Sequence, residues 1–330
     1  MSTRYPKHAY QHMRQNNSNF GLLFLAGLTF LAILFSGCKA KKNSVKEPVP
    51  DILLWSASQS DIATLLSQEP NECLQATKTI QEKHSIVLGR LAFRSPFLLG
   101  GQAARRGLTC QACHGQGQTN THFFVKGLSN EPGTADVTSF HFSDVLGDES
   151  FNPVPIPSLS DSDEIVDFDP SKTDLDIFVT RLITKEFTGP FPSQEVKSAL
   201  LSYLRALDDD TCTVKTLSTT RLMSYKLDII SESFSVLTSE GISQDTLNFM
   251  VAALRQEIGR LHVRFPRHKT LQQELEKVSQ TLNARGGNID LESVQSASMA
   301  WNNIKLLVPK YYEQSLFNPK AIKKWDEARR

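Results

Sequence analysis

The chain has 330 residues and a near-even charge balance, 36 Lys and Arg against 35 Asp and Glu, for a formal net charge of +1. So even a balance excludes the broadly basic surface with which proteins hold nucleic acid. With 40% hydrophobic and 22% charged residues the chain is globular rather than disordered, and it is long enough for two domains.

Arg4, Lys7 and Arg14 precede an apolar run from Phe20 to Phe35 that stops at Ser36-Gly37-Cys38. The run is shorter than the ~20 apolar residues of a membrane span. It has the layout of an export signal. Small residues before a cysteine resemble the lipobox of bacterial lipoproteins, with Phe35 where that pattern has leucine. We therefore expect residues 1–37 to be a lipoprotein signal peptide and Cys38 to be lipidated, placing the protein in the periplasm on a lipid anchor. An uncleaved anchor helix, or ordinary cleavage leaving Cys38 as a free thiol, are the alternatives. Lys39, in place of the aspartate that retains some lipoproteins at the inner membrane, favours the outer membrane. Residues 38–54, polar and ending in Pro48 and Pro50, read as a tether.

Short helical patterns follow over 55–68, 72–83 and 86–93, the last with Leu88, Leu91, Ala92 and Phe93 on one face. Cys73 lies here, and Cys212 far downstream. In an oxidising compartment two such cysteines pair, closing a loop of about 140 residues. Two separate buried thiols are the alternative.

Cys110-Gln111-Ala112-Cys113-His114 is the attachment signature of a c-type haem. Two thiols one helical turn apart can each form a thioether to a porphyrin vinyl group, and the histidine that follows falls beneath the iron as its axial ligand. A dithiol redox pair wants a βαβ setting, which the flanking sequence lacks. Half a zinc site wants a second C-x-x-C or paired histidines, and neither occurs. One covalently attached haem c is therefore the expected cofactor, on Cys110, Cys113 and His114.

The stretch 116–191 is rich in Gly and Pro, as suits irregular segments around a porphyrin edge. Within it, 143–176 carries ten acidic residues and only Lys172 as a base. That acidic run reads as a solvated loop. Calcium held by oxygen ligands and a docking face for a basic partner are its functional alternatives. Ser193 to Leu207 is again helical, with Val196, Leu200, Tyr203, Leu204 and Leu207 as an apolar stripe and Ser193 placed to cap it. The helices at 86–93 and 193–207 bracket the motif as the terminal helices of a cytochrome c domain do. Gly89-x-x-x-Phe93 and Tyr203-Leu204 resemble the glycine-and-aromatic crossing of that fold. The resemblance covers residues 84–210 and implies a cytochrome c-like haem domain over 55–212.

The sixth iron ligand decides between carrier and catalyst. No methionine lies between His114 and Asp210; Met223, Met250 and Met299 come later, in stripes typical of core filler. His141, flanked by Phe140 and Phe142, is the candidate with the better reach, while His122 is close to the motif and His84 precedes it. An open or water-bound iron is the third possibility.

Helical patterns at 221–237, 246–263, 271–283 and 289–307 then suggest a four-helix unit, so that 213–330 is expected to be a helical domain without a catalytic constellation. Pro319 to Arg330 reads as a basic amphipathic tail. The fold class expected for the whole is mainly α, a cytochrome c-like haem domain followed by a C-terminal helical bundle.

A narrower resemblance joins Leu88-Gly89-Arg90-Leu91-Ala92-Phe93, Leu108-Thr109 with the motif, and Asn152-Pro153-Val154-Pro155-Ile156-Pro157-Ser158-Leu159. Together they resemble the N-terminal haem domain of the bacterial di-haem cytochrome c peroxidase and MauG-like family. That family has a second C-x-x-C-H, and residues 115–330 contain none. One haem cannot run a two-centre mechanism. The expectation is a single-haem cytochrome for one-electron exchange with a periplasmic redox partner protein, with no nucleic acid involved. A peroxidase-like haem enzyme with an open or displaceable sixth ligand is the alternative.

Overall fold

The computed structural model describes residues 48–140, 142, 147–160, 174–239, 241–284 and 287–330. Cys38, His141 and six of the ten acidic residues of the 143–176 run lie outside them. Residues 47–330 form one compact unit and are mainly helical. Among the described residues no helix is long and apolar enough to cross a membrane.

The framework is a crossed helix pair. Helix α2 (Ile80–Phe93) starts where Thr79 Oγ1 accepts from the Glu82 amide at 3.1 Å, and α7 (Gln194–Ala206) where Ser193 Oγ accepts from the Val196 amide at 3.2 Å. The two meet at Gly89. A Cβ there would lie 2.6 Å from the Ala199 carbonyl carbon and 2.7 Å from Tyr203 Cβ, so only glycine permits this approach. Phe93 and Tyr203 pack beside the crossing with ring centroids 5.3 Å apart, tilted by 55°.

Between these helices come the short α3 (Pro96–Leu99), α4 (Gly101–Arg105) and α5 (Cys110–Cys113), then α6 (Leu175–Arg181). Strands are two or three residues long and pair antiparallel: β1 (Gln68–Pro70) with β6 (Thr216–Ser218), β2 (His114–Gly115) with β3 (Gln118–Thr119), and β4 (Thr134–Ala135) with β5 (Val154–Pro155). Downstream lie α8 (Thr219–Leu237), α9 (Gln244–His262), α10 (Lys269–Thr281) and α11 (Leu291–Leu307), close to the four helical patterns in the sequence. Across residues 212 and 213 the core is continuous: one apolar cluster runs from Ile86 through Tyr203, Met250 and Leu275 to Phe317.

Three expectations need correction. No helix covers 72–79. The chain is extended there because Cys73 is bonded to Cys212, Leu74 bridges Leu207, and the Gln75 amide donates to the Ala206 carbonyl at 2.8 Å. Cross-chain pairing has overridden local helical periodicity. Of 55–68, only α1 (Ile62–Ser67) is helical, started by Asp61. The end of the expected tether is also folded: Val49, Ile52 and Leu53 pack on α1, and Asp51 pairs with Arg260 at 2.7 Å. The C-terminal amphipathic stretch is helix α12 (Pro319–Glu327), which inserts Ile322 and Trp325 into that same small cluster.

Candidate functional site

The motif occupies a place set by backbone geometry. Gly100, Gly101 and Gly107 have φ of +61°, +50° and +72°, and the bends they make bring Thr109 to the N-cap of α5. Helix α5 is one turn, so Cys110 and Cys113 stand on the same side of it. The chain then reverses in a two-residue hairpin, with Gln116 and Gly117 both at positive φ (+52° and +83°), the mark of a type I′ turn. Asn120 closes the other side: its Nδ2 donates to the Ala112 carbonyl at 2.7 Å and its amide to the Cys113 carbonyl at 2.9 Å.

His114 opens the hairpin. Its Nδ1 lies 3.0 Å from the Pro157 carbonyl oxygen. A carbonyl only accepts, so Nδ1 carries the proton and Nε2 presents a lone pair. Burial pushes the ring's pKa down to about 4, against the opposing pull of the Pro157 hydrogen bond, so the imidazole is neutral at pH 7. Pro157 is itself held: Thr119 Oγ1 donates to the Ile156 carbonyl at 2.9 Å, the Ile156 amide to Gly133 at 2.9 Å, and the Leu159 amide to Gly117 at 2.7 Å.

Cys110 and Cys113 are free thiols, not bonded to each other. Burial pushes Cys110 up to about 12, and burial plus the neighbouring Cys110 pushes Cys113 higher still, so both are protonated. They border an apolar cluster separate from the main core, formed by Trp55, Leu99, Leu108, Phe123, Phe142 and Phe187 with their neighbours. Among the described residues no three His, Cys, Asp or Glu side chains converge as a metal-ion cluster, so Cys110, Cys113 and His114 do not aim at one point as zinc ligands would. Two neutral thiols on one turn, an imidazole with its lone pair directed by a carbonyl, and an apolar wall form a donor set that fits a covalently held haem.

Other candidates fall elsewhere. Met223 and Met250 are 3% and 0% exposed in the helical core, and Met299 is 66% exposed on α11. His122 is exposed beside the hairpin, and His84 is partly exposed in the first half of α2. His141 lies outside the described residues. Asp148, at the start of the acidic run, holds its own loop through the Ser150 amide at 2.9 Å. Two features escaped the sequence. The Pro157 carbonyl carries no side-chain signal, although it falls within the proline-rich segment already singled out. Gln116, 1% exposed, links the hairpin to a buried ionic network through Nε2 to Glu69 Oε2 at 2.6 Å. No protein-family model, curated protein or solved structure matches the chain.

Proposed function

We propose that this protein is a mono-haem c-type cytochrome, lipid-anchored in the periplasm through Cys38, that exchanges single electrons with a protein redox partner. The observation that carries the reading is the His114 Nδ1 bond to the Pro157 carbonyl, beside two free thiols on one helical turn. Cys110 and Cys113 would hold the porphyrin, each as a thioether made by addition of its S–H across one vinyl group, which needs no oxidant. His114 would offer Nε2 to the iron, and Pro157 fixes the ring's tautomer and raises its basicity. The cluster around Phe123 and Phe142 keeps water from one side of the attachment turn. When bound, the haem supplies a one-electron couple at its iron. The cytochrome c-like assignment of residues 55–212 draws further support from the Gly89 crossing with its Phe93–Tyr203 pair.

A second reading, a peroxidase-like enzyme, is favoured by one fact. The methionines that would complete a carrier's iron site, Met223 and Met250, are locked in the helical core. That turns the sixth position towards a histidine, with His141 the candidate of better reach, or towards exogenous ligands. The test is expression with a c-type maturation system, followed by spectra of the ferric protein and a redox titration. A low-spin ferric spectrum with reversible one-electron chemistry is expected of the carrier. A high-spin spectrum that shifts with cyanide, together with peroxide turnover, selects the enzyme. A matured protein that stays colourless on a haem-stained denaturing gel defeats both.

A further inference from the structure

A cavity of about 270 Å³ adjoins the attachment turn without touching its thiols or its imidazole. One wall is Gln111, Ala112 and Gly115; the other is formed by charged residues of α8, α9 and the chain that follows α9. Exposed Thr121 and His122 also line it and mark where it meets solvent.

Four cations line this cavity, Arg94, Lys226, Arg260 and Arg264, against the carboxylates of Asp51, Glu69 and Glu257. Each carboxylate is already engaged. Glu69 takes Lys226 and Arg264, Asp51 takes Arg260, and Glu257 is shared between Arg94 and Arg260. One positive charge is thus in excess. Arg94 is 2% exposed and spends Nε and Nη2 on Glu257, at 2.8 and 3.1 Å. Its Nη1 is buried and has no hydrogen-bond partner. A buried guanidinium nitrogen without an acceptor is costly, and oxyanions are its strongest partners. Water could cap the donor but would leave the charge excess; an anion answers both.

We propose that this cavity is a binding site for a small oxyanion, a carboxylate or a phosphate, received by the Arg94 guanidinium together with the neighbouring cations and entering past Thr121 and His122. The site stands apart from the haem reading, because none of its groups is a porphyrin or iron ligand.

The test is isothermal titration calorimetry of the matured full-length protein in low-salt buffer without oxyanions, with inorganic phosphate in one arm and succinate in the other. One site per chain is expected in at least one arm, and the arm that responds names the anion. Arg94→Lys keeps the charge but loses the second nitrogen, and should weaken binding by about tenfold or more. If that variant loses its native circular dichroism, Thr121→Trp at the exposed rim replaces it and should obstruct entry to a similar degree. No heat in either arm would mean the cavity holds water alone and would overturn the proposal. Undiminished affinity in the folded variant would place the anion elsewhere and do the same.

Discussion

Among the described residues, those between Pro96 and Leu159 form four- and five-residue helices and two-residue strands, whereas those from Thr219 to Leu307 form four helices of 13 to 19 residues. Helices as short as α5 do not persist without tertiary support. The first region is therefore held by cross-loop hydrogen bonds such as Asn120 to Ala112 and Leu159 to Gly117, around a small apolar cluster of its own. The second is held by burial of apolar stripes. The proposed chemistry sits in the region whose backbone is fixed by turns, and stability sits in the region fixed by packing. Substitutions that touch only one of them test that division.

The largest effect expected is total. Cys110→Ala with Cys113→Ala should abolish covalent haem on a denaturing gel while leaving the helical circular dichroism of the second region in place. Loss of that signal as well would show the two regions to be one cooperative unit.

Next comes the ionic pair that ties the end of α2 to α9. Glu257 is 3% exposed, and Glu257→Ala leaves the Arg94 guanidinium buried without a carboxylate. A cost of about 3–5 kcal/mol is expected in denaturant unfolding, whereas Arg94→Met with Glu257→Leu should recover most of it. The same pair sets an acid limit. Burial alone would raise the Glu257 carboxyl, but Arg94 and Arg260 hold it at about 2, below the unfolded value of 4.5. The stability it contributes is complete above pH 4.5 and is lost as pH falls from there towards 2. A urea-midpoint series across that range, compared with the double apolar variant, should show a steeper fall in the wild type.

Much of the packed region can be read from the sequence, because 3.6-residue periodicity places Leu, Ile and Val on one face, and caps such as Ser193 and Asp290 mark helix starts. The motif at 110–114 stands out because the covalent chemistry proposed for it demands fixed residue types at fixed spacing. What surrounds it is not. The place of the Pro157 carbonyl and the extended 72–79 strap are set by long-range pairing, the positive φ of Gln116 by the tight hairpin it turns, and Arg94 and Glu257 lie 163 positions apart. Side-chain identity along the chain encodes none of these partners.

The disulfide ties the strap before α2 to the chain that follows α7, outside both regions, with Cα atoms of Cys73 and Cys212 5.4 Å apart and 139 positions between them. Removing it with Cys73→Ser and Cys212→Ser should cost about 3 kcal/mol, mainly through the entropy of the unfolded chain. The loss should be visible as a lower urea midpoint and a haem spectrum unchanged below the transition.

The smallest effect sharpens the comparison most, because it acts on the helix crossing rather than on either region's interior. Gly89→Ala places a methyl group 2.6 Å from the Ala199 carbonyl carbon, where backbone cannot yield without α2 and α7 separating. Overpacking of this kind costs about 1–3 kcal/mol, offset in part by alanine's better helix propensity. The strain should reach the Phe93–Tyr203 contact, and through Tyr203 the 2.9 Å hydrogen bond of its hydroxyl to Glu72, which pairs with Arg90 at 2.8 Å. Near-ultraviolet circular dichroism from Tyr203 should therefore change before the far-ultraviolet signal does. If Gly89→Ala instead matches the wild type in both spectra and in urea midpoint, the crossing is looser than its geometry implies, and it cannot be what positions the attachment turn.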